Sequence, residues 1–410
     1  MKNLLVIGSV WPEPSSSAAG RRMLQIISIF QKSEWSITFA SHAGPSENTI
    51  DFKAQKIIKK EIKLNCESFD RYIAELQPEA VIYDRFMTEE QYSWRVMEQC
   101  PNAVQLLDTE DLHCLRYARH EAVKQNRVFN KSDLVESESA IRESSSILRC
   151  DLSIMISEYE IDILKSTLNI PKHIINYLPF LHDGNDEDSL SFEERYDFVS
   201  IGNFMHAPNW DAVLYLKEKI WPSIHKVLPD TKLHIYGSYT PQKAFQLHNE
   251  KEGFLVHGKV KCAKEVISKS RVLLAPLRFG AGLKGKLFEA MEYGTPSVTS
   301  SIGAEGMKGE FNWPGNISND PNNFAKFAIE LYTNKDLWNT ASTQGKVVLQ
   351  KRFSKTIYEK LFWDQFLQIS ENLAKHRSKN FFGKILNYNS HRSTKFMSRW
   401  IEAKNQLKRK

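Results

Sequence analysis

Residues 271–301 read RVLLAPLRFGAGLKGKLFEAMEYGTPSVTSS, and their order decides the fold. Val272-Leu273-Leu274-Ala275-Pro276-Leu277 is a short apolar run followed by turn residues, the pattern of a strand buried on both faces in a parallel sheet. A loop with three glycines and three cations comes next: Arg278, Gly280, Gly282, Lys284, Gly285 and Lys286. From Lys286 to Tyr293 the period is helical, with Leu287, Ala290 and Met291 on one face. Gly294 and Pro296 stop the helix, and Ser297-Val298-Thr299 reads as a second strand. The unit is strand, glycine-rich cationic loop, helix, strand.

Such a loop has a definite chemistry. Glycine lets the backbone approach a ligand closely, and a helix N-terminus presents unpaired N–H groups with partial positive charge. With Arg278, Lys284 and Lys286 these make a site for phosphate or diphosphate. Glu289 is unsuited to phosphate but accepts hydrogen bonds from hydroxyls, so the combination fits a nucleotide or nucleotide sugar. Two other readings stand beside it. An ordinary crossover unit carries Lys and Glu as solvated charges. Gly280-x-x-x-x-Gly285-Lys286 also has P-loop spacing, although Leu287 stands where a P-loop needs Ser or Thr for Mg²⁺.

The longer string PLRFGAGLKGKLFEAMEYGTPSVTSSIGAEG, residues 276–306, resembles the donor-binding segment of GT-B type nucleotide-sugar glycosyltransferases, in particular the retaining enzymes of family four. The resemblance implies an α/β fold of two Rossmann-like domains facing a cleft. It implies transfer of a sugar from a nucleoside-diphosphate sugar, the co-substrate, to a hydroxyl acceptor on a glycan or lipid-linked molecule. It further implies retention of configuration, no metal and no other cofactor. Arg278, Lys284, Lys286 and the loop N–H groups at Gly280 and Gly282 would face the diphosphate, with Arg278 and Lys286 catalytic, and Glu289 the ribose. Gly202 and Val260 would line the donor pocket, Val260 near the base.

Two departures weaken the likeness. Many relatives carry Arg and Lys after the glycine matching Gly202, where this chain has Gly202-Asn203-Phe204-Met205-His206. Their frequent glutamate pair, eight positions apart, keeps here only its second member, Glu289; Ala281 takes the place of the first. A non-catalytic nucleotide-sugar or glycan-binding protein on the same fold is therefore the rival reading.

Working outward, 410 residues suit two domains, and 41% hydrophobic with 25% charged residues is a globular composition. The expected division is a first Rossmann-like domain over 1–178, a linker over 179–195, a donor-binding domain over 196–350, a crossover helix over 351–376 and a basic tail over 377–410. His182-Asp183-Gly184-Asn185-Asp186-Glu187-Asp188 is read as connector rather than a metal-binding D-x-D, since nothing apolar frames it. In the first domain, Leu4-Leu5-Val6-Ile7-Gly8 is a buried strand, then a Pro/Ser-rich loop, then a helix from Arg21. Loops at the carboxyl ends of such strands hold ligands. The resemblance puts Gly20 and Arg21 on the acceptor side, while a solvent-facing role serves Arg21 and Arg22 equally well.

Asp108-Thr109-Glu110-Asp111-Leu112-His113-Cys114-Leu115-Arg116 follows the strand Ala103–Asp108 and resembles the acceptor-side segment of the same enzymes. His113 is the catalytic candidate there, as a partner for sugar hydroxyls or a proton, and Asp111 lies on the acceptor side. The plain alternative is a helix start capped by Asp108 or Thr109. In Asp151–Ser157 followed by Glu158-Tyr159-Glu160, Ser157 and Glu158 read as capping residues. Residues 116–149 read as a long polar helical region rich in Glu, Arg and Ser, and Tyr358, Leu361, Phe362, Phe366 and Leu367 form one face of a late helix.

Five scattered cysteines without C-x-x-C argue for reduced thiols. No apolar run reaches the roughly 18 residues of a membrane span, and MKNLLVIGSVWPEP lacks the features of a signal peptide. These favour a cytoplasmic protein, peripheral on the inner face of the membrane. Residues 377–410 hold ten Lys and Arg and one acid, net +9, in a chain of net +6. With Phe381-Phe382, Ile385-Leu386, Phe396 and Trp400-Ile401 interleaved, that tail fits an anionic membrane surface. A solvated tail is the plain alternative. Nucleic acid suits the charge, but no fold for it is recognised.

Overall fold

The structure is a computed structural model and describes residues 2–184 and 189–407. The apolar runs pair into two all-parallel sheets. The first is built from β1 (Asn3–Gly8), β2 (Ser36–Ser41), β3 (Ile58–Glu61), β4 (Ala80–Asp84), β5 (Val104–Asp108), β6 (Leu152–Met155) and β7 (Ile175–Tyr177), in the order β3-β2-β1-β4-β5-β6-β7. Helices cover both faces, so β4, β5 and β6 are buried at every residue and are mostly apolar. β3, the edge, has the sequence IKKE and is largely exposed; its lysines guard an open row of backbone groups.

The second sheet holds β8 (Tyr196–Ile201), β9 (Leu233–Tyr236), β10 (Phe254–Gly258), β11 (Ser270–Ala275), β12 (Ser297–Thr299) and β13 (Gly315–Ile317), in the order β10-β9-β8-β11-β12-β13. Strand order reverses between β1 and β4 in one sheet and between β8 and β11 in the other. Each reversal opens a crevice at the carboxyl ends of the strands, where open α/β sheets bind ligands. The two crevices face each other. The architecture is thus two Rossmann-like domains across a cleft.

The chain crosses between the domains twice, side by side. Phe180 and Leu181 are buried, His182 N–H donates to the Phe353 carbonyl at 2.7 Å, and His182 pairs with Ser354 in a parallel bridge. The connector is therefore fixed at both ends, since Arg195 is also buried, donating to Thr295 Oγ1 and the Tyr293 carbonyl. Asn185, Asp186, Glu187 and Asp188 of the expected linker lie outside the described residues. The helix Lys355–Glu371 returns to the first domain and sinks Phe362, Phe366 and Ile369 among Phe30 and Trp35. Its buried face is rotated from the expected one, which leaves Leu361 54% exposed.

The helical region 116–149 consists of the helices His113–Lys124 and Glu138–Arg149 with the short Ser132–Val135 turn of helix between them. One expectation is corrected here. The basic tail is not a detached segment. The helix Phe381–Leu407 lies on the helices Phe86–Gln99 and Glu138–Arg149 of the first domain, anchored where Arg95 reaches Ser398 and Glu402. Among the described residues no helix is long and apolar enough to cross a membrane.

Candidate active site in the interdomain cleft

The second domain's wall of the cleft grows from β11. After Ala275 the chain turns through Leu277–Leu283 and enters the helix Gly285–Glu292. Gly282 has φ +63°, and a Cβ on it would lie 2.8 Å from Asp111 Cβ of the opposite domain, so both conformation and approach require glycine. Lys284 folds back on the loop, donating to the Gly282 carbonyl at 2.6 Å and the Ala281 carbonyl at 3.1 Å. Lys286 donates to Asn209 Oδ1 at 2.9 Å. It passes so near Gly202 that an added Cβ would sit 2.8 Å from its Nζ. The walls strip water from both ammonium groups and lower each pKa to about 8. Leu287, where a P-loop carries its hydroxyl, is fully buried in the core.

The first domain's wall of the cleft grows from β5. Glu110 has φ +61°, and this turn brings Asp111 into the cleft beside Arg116. Burial opposes charge on Asp111, but the Arg116 guanidinium hydrogen-bonded to it draws its pKa down to about 2. His113 opens the helix His113–Lys124 with its ring 4% exposed and edge-on to Phe86. Burial pushes its pKa down to about 3, so the ring is neutral at physiological pH. Its Nδ1 is buried without a partner, and its Nε2 lies 3.5 Å from Asp111 Oδ1.

The helix start is not capped by Asp108 or Thr109. Two buried glutamates distant in sequence do the work: Glu143 accepts the N–H groups of His113 and Cys114 at 3.1 and 2.8 Å, and Glu160 accepts that of Leu112 at 2.9 Å. The same Glu160 Oε1 accepts the Gly282 N–H at 2.7 Å. One oxygen of the first domain thus holds the loop that carries His113 and the glycine loop of the second. Burial, reinforced by the Asp111 charge, raises the Glu160 pKa to about 8.

Further links draw the walls together. Arg119 donates to the Gly280 carbonyl at 2.8 Å and forms a forked pair with Glu305 at 2.8 and 2.7 Å. His120 stacks on Phe279, centroids 4.2 Å apart. Arg21 takes both oxygens of Glu292 at 2.8 Å and reaches Glu289 at 3.5 Å. The cleft so enclosed has a volume of about 790 Å³, within the range of small-molecule sites.

Of the residues singled out in the sequence, the structure gathers Arg21, Asp111, His113, Gly202, Val260, Gly280, Gly282, Lys284, Lys286 and Glu289 around this one cavity. Arg278 is a correction. Its guanidinium turns away to Asp211, with Nε 2.9 Å from Oδ2, and lies over Tyr215. Gly20 is another: it sits inside the helix Ala18–Lys32, packed so closely on the backbone of Glu13 that a Cβ would come within 2.5 Å. Arg22 is wholly buried against Asp108 and is a core residue. Arg116, Asn209, Glu143, Glu160 and Arg119 were missed. Arg116 and Glu160 stand in segments singled out above, but only the fold shows what they and the other three hold. Among the described residues, no group of three or more His, Cys, Asp or Glu is placed to hold a metal ion.

Two Rossmann-like domains with a glycine-rich loop in the cleft between them define a GT-B fold, and known structures agree. Sucrose-phosphate synthase from Thermosynechococcus elongatus superposes with a TM-score of 0.67, over 90% of this chain and 99% of that one, at 14% identity. The Anabaena HepE protein, solved in complex with UDP and glucose, gives 0.65 over 92% and 100%, at 10% identity. In sequence, residues 195–334, the second domain, match the family described as glycosyl transferases group 1. A Klebsiella pneumoniae protein described as an uncharacterized 44.6 kDa protein in the cps region is 25% identical over 201 residues, 47% of this chain and 50% of that one. The chain spans about half the length of that curated relative.

Proposed function

We propose that the protein transfers a glycosyl unit from a nucleoside-diphosphate sugar to a hydroxyl acceptor, in the assembly of a surface polysaccharide or glycolipid. The observation that carries this reading is the pairing of Lys284, Lys286 and the helix start at Gly285 with Asp111, His113 and Arg116 across one cavity. The family match of the second domain and the fold likeness both support sugar transfer.

In the reaction, the bond between the anomeric carbon and the diphosphate oxygen breaks and the acceptor oxygen bonds to that carbon. Negative charge grows on the departing diphosphate. Lys284, Lys286 and the free N–H groups beginning the Gly285–Glu292 helix are preorganised for it, and losing one such donor costs about 3–4 kcal/mol of barrier. Metal independence is part of the proposal, because these groups supply the charge that a divalent ion otherwise would. With retention, the acceptor enters on the face the diphosphate leaves, and its proton passes to the departing phosphate oxygen. His113, with its pKa near 3, is then a neutral hydrogen-bond partner for a sugar hydroxyl rather than a base. Glu289 takes the ribose hydroxyls, and Val260 flanks the base.

The rival, a nucleotide-sugar or glycan-binding protein without turnover, is favoured by Ala281, which is buried against the first domain and offers the sugar no side-chain oxygen. Nucleotide release from a donor panel, in EDTA, with and without a membrane glycolipid extract, separates them. Release that rises with the extract and survives EDTA supports transfer. Binding with no release under either condition supports the rival.

A further inference from the structure

The helix Phe381–Leu407 has its polarity reversed for a helix that only packs on a domain. It turns small and polar groups inward. Gly383 lies against the Leu148 carbonyl, where a Cβ would come within 2.2 Å of the oxygen. Ser398 and Glu402 are buried and receive Arg95 Nη2 at 3.0 and 2.7 Å, and Ser398 Oγ donates to Asn65 Oδ1 at 2.8 Å. Outward it turns Phe381, Phe382, Ile385, Phe396, Trp400 and Leu407, which are 39–74% exposed. At 3.6 residues per turn these six fall within an arc of about 100°, opposite Gly383 and Ser398.

Scattered exposed apolar residues need no explanation, but a stripe of this kind marks an interaction surface. Its charge says what it meets. Residues 377–410 carry ten Lys and Arg against one acid, net +9, in a chain of net +6, so the remainder is −3; Arg377, Lys395 and Arg399 pair with Asp151, Glu98 and Asp70 of the first domain, while Lys379 joins the exposed cations. Lys384 and Lys404 are exposed beside the stripe, Lys404 with its ammonium 5.0 Å from the Trp400 ring centre. Aromatic rings on a helix face with lysines at its margins match the boundary between headgroups and acyl chains of an anionic bilayer. The 27-residue helix would lie along that boundary for about 40 Å. We infer that the outward face of this helix seats the first domain on an anionic lipid bilayer. The inference stands apart from sugar transfer, since no residue of the cleft takes part. The two helices beneath carry Phe86, which packs on His113, and Glu143, which caps its helix.

The test is flotation of the full chain with phosphatidylcholine vesicles and with vesicles made about one-third anionic with phosphatidylglycerol. It is repeated on the double variant Phe396→Ser/Trp400→Ser and on Val227→Ser, an exposed apolar change in the other domain. Both altered aromatics are more than half exposed, so the thermal unfolding of the double variant should match that of the parent. The expected result is binding to anionic vesicles that added salt weakens, retained in Val227→Ser and reduced at least about tenfold in the double variant. Three results would overturn the inference: no flotation of the parent, flotation unchanged in the double variant, or a parent dimer in sedimentation velocity that the double variant dissolves. The last would make the stripe an interface between copies of the chain.

Discussion

Lys284 and Lys286 are charged near pH 7 and neutral near pH 9, because burial has brought their pKa values to about 8. A diphosphate binds the charged form, so affinity for a nucleoside diphosphate should fall as the pH rises through 8. Lys286→Ala removes one charge-assisted hydrogen bond, worth roughly 1.5–3 kcal/mol or tenfold to a hundredfold in affinity near neutral pH, and should flatten the alkaline fall. Calorimetric titration across that range checks both; an affinity constant with pH in the parent would contradict the site. Glu160 gives an independent test. Its pKa is about 8 in the folded chain against 4.5 for a free glutamate. Between those values the folded protein keeps a proton that the unfolded chain has released, so stability falls as the pH rises through that window. Glu160→Gln keeps an acceptor oxygen for Leu112 and Gly282 and does not titrate. Its melting temperature should therefore drop less steeply than the parent's from pH 5 to 8, and parallel curves would refute the role. At this scale the sequence is legible where chemistry is local. Lys284, Lys286 and Glu289 are marked by their own helix start, and His113 and Asp111 by the strand end before them. Glu160 and Arg119 act on partners 122 and 186 positions away, and nothing in a neighbouring string signals that. Arg278 failed for the opposite reason: loop composition places a residue near a site, while the turn after Leu277 decides which way its side chain points.

The central strands could be read from apolar runs and turn residues, because strands covered on both faces are mostly apolar, whereas β3 (IKKE), β7 and β13 (GNI) are too short or too exposed to show such a run. What period alone does not give is how closely elements from different domains meet. Gly285 begins its helix without a left-handed φ, so alanine is conformationally acceptable there. Yet an added Cβ would lie 2.5 Å from Ala18 Cβ, at the start of a helix in the other domain. Gly285→Ala should therefore unfold at nearly the parent temperature but hold the domains apart, with a larger radius of gyration by small-angle scattering and weaker donor binding. An unchanged radius together with unchanged binding would show that the two helices do not need this approach. The C-terminal helix taught the converse lesson. Its basic charge is evident in the sequence, but the polar face that docks it, through Ser398 and Glu402 on Arg95, appears only when Arg95 is seen to be buried beneath it.

Over the whole molecule, the two sheets present their carboxyl ends to one cavity, and ion pairs from both domains line its approaches: Arg21 with Glu292, Arg119 with Glu305, Lys259 with Glu47. The central claim is that this cavity takes a nucleoside-diphosphate sugar without a metal. The most direct measurement is thermal unfolding of the full chain against UDP-, GDP-, ADP- and CDP-sugars and ATP, each in EDTA and in Mg²⁺, for the parent and for Lys286→Ala. A ligand at a hundred times its dissociation constant adds about 2.7 kcal/mol, a readily visible shift. The account predicts stabilisation by the sugars of one nucleotide, equal in EDTA and Mg²⁺ and lost in Lys286→Ala. Stabilisation by ATP alone, and only with Mg²⁺, would contradict it.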